Sequence, residues 1–90
     1  MTVKCMKFKV CGRVQGVGFR YHTAYQGLKL GVTGYAKNLN DGAVEVVVCG
    51  SEQQIAMMEK YLQQGPRSAR VDSLVKEELE YKPYNGFLTL

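Results

Sequence analysis

Residues 32–50, VTGYAKNLNDGAVEVVVCG, carry two strand-like runs on either side of Asn40-Asp41-Gly42, and how they pair decides the fold. Both runs, 32–39 and 43–50, are dense in β-branched and aromatic residues, which suit a pleated, half-buried surface. Asp-Gly between such runs is a strong short-range hairpin signal. The segment therefore reads as two adjacent antiparallel strands.

Working outward, each side of the hairpin predicts a helix. Upstream, YHTAYQGLKLG (21–31) places Tyr21, Ala24, Tyr25 and Leu28 at helical spacing, with Gly31 as the C′ residue. Gly27 inside it costs about 1 kcal/mol against alanine, which points to close packing on a neighbour. Downstream, SEQQIAMMEKYLQQG (51–65) opens with Ser51 and Gln54 in capping-box positions. Ile55, Met58 and Leu62 form its apolar stripe, and Gly65-Pro66 ends it. The outermost segments are strands again. VKCMKFKVC (3–11) alternates, with Met6, Phe8 and Val10 facing one way and Cys5, Lys7, Lys9 and Cys11 the other. A long strand is expected around 71–81, and a short one, FLTL, follows a turn at 83–86.

The order β-α-β-β-α-β plus a short last strand predicts an α+β, ferredoxin-like sandwich, with two helices on one face of an antiparallel sheet. In that plan the first and second strands run parallel, with the third between them and antiparallel to both. The loop after strand one (13–19) and the far end of strand two (38–40) then emerge at the same edge of the sheet.

Ninety residues suit one domain, 1–90. The net charge of +4 favours an anionic partner, yet no Lys/Arg block marks a nucleic-acid tail. No apolar run nears the roughly 20 residues of a membrane span, and MTVKCMKFKV lacks the h-region of a signal peptide. The expectation is a cytoplasmic protein with no membrane partner. Three cysteines, none in a C-x-x-C pair, give little support to zinc or redox chemistry. Cys5 and Cys49 fall opposite each other on antiparallel neighbours, so a bridge between them is geometrically open if their Cα atoms lie within about 7 Å.

GRVQGVGFR (12–20) joins the first strand to the first helix. A helix N-terminus carries unpaired amides and roughly half a positive charge, a natural anion seat. Gly16 and Gly18 let the backbone turn its N–H groups inward with no Cβ in the way. Arg20 adds a planar, permanently charged fork suited to phosphate oxygens. A turn that merely reverses the chain is the other reading of the same glycines. The spacing fits neither a Walker loop nor a dinucleotide fingerprint.

GRVQGVGFR, with GYAKNLNDGAVEVVVCG (34–50), resembles the two signature segments of the acylphosphatase family. The first matches the pattern G-R-V-Q-G-V-x-[FY]-R throughout. The second matches G-[WY]-[AV]-x-N-x-x-x-G-x-V followed, after five residues, by glycine. The resemblance implies hydrolysis of the carboxyl–phosphate bond of small acyl phosphates by a monomer, with no cofactor and no metal. It implies that the loop amides, Gln15, Gly16, Val17, Gly18 and Phe19, bind the phosphoryl group together with Arg20. It also implies that Asn38 positions the attacking water. The phosphate itself is expected to take that water's proton, because an amide side chain cannot serve as a base.

Other polar residues read as structural. His22 has no Cys, Ser or Asp motif beside it and makes no triad. Glu77, Glu78 and Glu80, with Lys7 and Lys9, read as solvated faces. Lys37 alternates away from Asn38, Tyr35 reads as packing, and Arg13 either adds to the anion field or pairs with a carboxylate. Two non-catalytic alternatives stand beside the hydrolase: an anion-sensing domain that keeps the loop, and an RNA-binding sheet. The RNA reading requires paired aromatics on the open face, where strand one instead carries Cys5, Lys7, Lys9 and Cys11.

Overall fold

The hairpin at the centre of the sequence is also the centre of the sheet. In the computed structural model, which describes residues 3–90, β2 (Thr33–Asn38) and β3 (Val44–Gly50) pair antiparallel from Thr33↔Cys49 to Asn38↔Val44. The turn between them is wider than a two-residue one. The Leu39 N–H donates to the Ala43 carbonyl (2.8 Å), and the Ala43 N–H donates to Asp41 Oδ1 (3.0 Å). Asp41 also holds Lys9 at 2.7 Å. That hydrogen bond, with the Ala43 amide, keeps its carboxyl below the usual carboxylate range.

Around this pair, β1 (Lys4–Arg13) lies on the other side of β3, β4 (Arg70–Leu79) flanks β1, and β5 (Phe87–Thr89) adds in parallel to β2. The five-stranded order is β4-β1-β3-β2-β5, with the first and second strands parallel and the third between them. Helices α1 (Phe19–Leu30) and α2 (Glu52–Gln64) cover one face. This is the ferredoxin-like α+β sandwich. Met6, Phe8 and Val10 of β1, Val44, Val46 and Val48 of β3, and Ala36 of β2 point under the helices. Ile55, Met58 and Leu62 of α2 meet them, as their spacing predicts.

Helix α1 keeps only part of the expected face: Ala24 is buried and Gly27 packs on a neighbour as expected, but the large residues at that spacing are not buried. Tyr21, Tyr25 and Leu28 are 68%, 67% and 60% exposed, while Phe19, Thr23, Ala24 and Gly27 are buried. The reason is proximity. A Cβ on Gly27 would come within 2.6 Å of the Phe87 ring, so the helix sits on β5 through its smallest residues. Small side chains bring the backbone down, and the large ones turn outward.

The second face of the sheet is only partly open. Cys5 and Cys49 are Cα partners 4.1 Å apart and joined as a disulfide, buried with Val47 beneath Tyr35, Leu79 and Tyr84. Tyr35 meets Tyr84 edge-on at 5.7 Å and donates its hydroxyl to Glu45 at 2.6 Å. Burial, reinforced by Glu45, pushes its phenol well above the ordinary value. Among the described residues no helix is long and apolar enough to cross a membrane.

Candidate functional site

Strand β1 reaches the helix layer through a loop anchored at both ends by core residues. Val14 and Phe19, each 1% exposed, fix its two posts. Between them Gly16 and Gly18 take φ of 74° and 78°, left-handed values that cost an L-residue about 1–2 kcal/mol. A Cβ at Gly16 would meet no atom within 4 Å, so backbone conformation, not crowding, demands glycine there. A β-bulge at Cys11/Gly12 bends β1 just before the loop begins.

Gly18 is also the N-cap of α1, and among the described residues no side chain caps that helix. The first intrahelical bond runs from the His22 N–H to the Gly18 carbonyl at 3.0 Å. Among the described residues, the N–H groups of 15–20 donate to no acceptor in the protein. The first turn holds no acidic residue and carries Arg20. These acceptor-free amides and the helix dipole make this terminus positive and rich in donors.

Two side chains hold the loop without consuming its amides. On the β2–β3 flank, Gln15 Nε2 donates to the carbonyls of Leu39 (2.7 Å) and Ala43 (2.9 Å). On the β4 flank, Ser68 Oγ donates to the Val17 carbonyl at 2.7 Å. The Gln15 side chain is thus a strut between the two signature segments. Its role was missed in the sequence, where only its backbone amide was considered. The signal was there: topology had already put a turn, with its free carbonyls, beside a loop glutamine.

Asn38 closes β2 and pairs with Val44, which in turn pairs with Val10. The shared row puts Asn38 on the helix-facing side of the sheet, at the edge where β1 passes into the loop. Its Oδ1 is buried and, among the described residues, has no hydrogen-bond partner. An unpaired buried acceptor costs about 1–3 kcal/mol, so its persistence at this edge bears on function. Lys37, one residue before, faces out.

Arg20 is half-buried, and its Nη1 donates to the Leu90 carbonyl at 2.8 Å. The Leu90 N–H donates to the Ala36 carbonyl at 2.8 Å, so the guanidinium is anchored through β5 to the strand that carries Asn38. No sequence pattern marks this link, which joins positions seventy residues apart. The guanidinium also lies over the Tyr21 ring, 5.9 Å from its centroid.

The remaining candidates fall away from this edge or stay neutral to it. Lys7 pairs with Glu77 at 4.0 Å and Lys4 with Glu78 at 3.9 Å, as solvated faces do. Arg13 is exposed and, among the described residues, forms no ion pair. His22 is exposed, with its ring beside Gly18. Among the described residues, no three His, Cys, Asp or Glu side chains gather as a metal site.

The family model for acylphosphatase matches residues 6–89. A curated acylphosphatase from Vibrio parahaemolyticus is 59% identical over 90 residues, covering the whole of both chains. Among solved structures, an acylphosphatase from Coxiella burnetii superimposes with a TM-score of 0.93 at 35% identity, covering 98% of this chain and 93% of that one. The crystal structure of acylphosphatase from Bacillus subtilis gives a TM-score of 0.93 at 28% identity, covering 99% of each.

Proposed function

The chain belongs to the acylphosphatase family of enzymes, and we propose that it hydrolyses small acyl phosphates using the loop amides, Arg20 and Asn38. The phosphoryl oxygens sit against the N–H groups from Gln15 to Phe19, and the Arg20 fork spans two of them. The acceptor-free amides and the uncapped α1 terminus support this reading.

The substrate's chemistry explains why so few groups suffice. Water oxygen forms a bond to phosphorus as the bond from phosphorus to the acyl oxygen breaks, and its electron pair leaves on a carboxylate. The acid of that leaving group has a pKa of roughly 4 to 5, near an Asp or Glu side chain, so no general acid is required. What the protein supplies is position and charge. Asn38 Oδ1 accepts a hydrogen bond from the water and aims the water's lone pair at phosphorus, and a phosphoryl oxygen takes the proton that the water releases. One observation carries the reading: a buried, unpartnered amide oxygen stands at the sheet edge that also carries the loop of acceptor-free backbone amides.

The test is steady-state hydrolysis of benzoyl phosphate in EDTA, with wild type, Arg20→Ala and Asn38→Ala compared. Turnover persists in EDTA, and each substitution lowers it by about 10²–10³-fold, the loss typical of removing one preorganised charge-stabilising donor. Inert wild type, or Asn38→Ala acting at the wild-type rate, overturns the proposal. RNA binding has less support, since the second face carries ion pairs and an edge-on tyrosine pair whose ring faces are not stacked for bases.

A further inference from the structure

The loop's two struts lie toward opposite edges of the sheet, and that asymmetry gives a direction to the reaction. Gln15 ties the loop toward β3 and β2, where Asn38 stands, whereas Ser68 ties it toward β4 on the far side of β1. In phosphoryl transfer the attacking and leaving oxygens are roughly in line across phosphorus. Water delivered from the Asn38 side therefore expels the acyl group toward the Ser68 side.

A groove of about 550 Å³ opens on that side, between the first turns of α1 and the last turn of α2. His22, Tyr25, Tyr61, Pro66, Arg67 and Ser68 line it. It adjoins the loop at two points. The Ser68 hydroxyl binds the Val17 carbonyl, and the His22 ring lies 3.5 Å from where a Gly18 Cβ would stand. Tyr25, one of the large residues at helical spacing in α1, is 67% exposed and supplies one wall. Arg67 is exposed and, among the described residues, free of an ion pair. It puts positive charge on the flank where carboxylate charge develops.

We propose that this groove is the acyl subsite, with the Tyr25 and Tyr61 rings against the acyl body and Arg67 on the side where the carboxylate leaves. The inference rests on the hydrolase reading above. Two tyrosine rings and a proline offer flat apolar surface with little rotamer entropy to lose, and the volume lies in the range of small-molecule sites. A benzoyl ring offers these walls a flat apolar face, whereas an acetyl group offers only a methyl.

The experiment measures kcat/KM for acetyl phosphate and benzoyl phosphate in wild type, Tyr25→Ala and Arg67→Gln, with inhibition by inorganic phosphate as the control for the loop. Tyr25→Ala is expected to lower the benzoyl-to-acetyl ratio by about tenfold, the scale of an apolar contact in a pocket, while the inhibition constant for inorganic phosphate moves far less. Arg67→Gln is expected to lower kcat on both substrates, because both expel a carboxylate. If wild type cleaves both substrates and the ratio is unmoved by Tyr25→Ala, the subsite is overturned and the hydrolase reading stands. If wild type cleaves neither, the hydrolase reading fails and the subsite with it.

Discussion

The two helices of this chain begin in opposite ways. Helix α2 completes its own N-terminus. Ser51 Oγ accepts the Gln54 N–H at 3.2 Å, Gln54 Oε1 accepts the Ser51 N–H at 2.9 Å, and Glu52 sits in the first turn. Lys4 reaches Glu52 at 2.9 Å, and their hydrogen bond keeps the carboxyl ionised below its ordinary range. Helix α1 does none of this. Its N-cap is a left-handed glycine, its first turn lacks an acid, and Arg20 stands where the helix dipole disfavours a cation. One terminus is closed by its own side chains, and the other is left with its amides unpaired.

The largest break in that contrast is Arg20→Ala. The proposed role predicts the hundredfold or greater loss of turnover given above, whereas relief of the helix dipole, about 0.3–1 kcal/mol in the stabilising direction, offsets the lost hydrogen bond to the Leu90 carbonyl, about 0.5–1.5 kcal/mol. Turnover and urea unfolding on the same variant should therefore move apart, with stability held within about 1 kcal/mol of wild type. Next comes Gly18→Ala. A side chain forced to φ near 78° loses about 1–2 kcal/mol of stability and displaces the donors of the loop, so unfolding and phosphate affinity fall together.

Ser51→Ala attacks the other terminus. It should cost about 0.5–2 kcal/mol in urea unfolding and leave kcat and KM at wild-type values. The smallest effect belongs to Asp41, whose carboxyl braces the turn that receives Gln15. Its folded pKa lies below the unfolded 3.8, so its pairing contributes above that value and is lost as pH falls through the folded one. The stability gap between wild type and Asp41→Asn should narrow between about pH 5 and pH 2, as followed by thermal unfolding at each pH.

The same contrast separates what could be read in the sequence from what could not. The α2 cap was legible because all of its parts lie within four consecutive residues, Ser51 to Gln54. The left-handed turns at Gly16 and Gly18 were legible because glycine spacing speaks directly to backbone conformation, and the sheet order follows from element order under chirality rules. The buried face of α1 was legible only in part. Its tyrosines and Leu28 carry more apolar surface than Thr23, Ala24 and Gly27, and only the Phe87 ring, sixty positions away, makes the small residues the buried ones. Arg20 and Asn38 were named from a motif, but their anchoring was not, because the Leu90 carbonyl reaches Arg20 through a parallel edge strand. The Gln15 strut lies between these cases: the fold plan brought its partners close, while the choice of side chain over backbone depended on coordinates.

Amide chemical shifts recorded while inorganic phosphate is titrated into the protein test the open-terminus account most directly. The N–H signals of residues 15–20 should move together and saturate, while those of residues 52–54, at the capped start of α2, stay in place. Equal movement at both termini, or saturation with residues 15–20 unmoved, would contradict it.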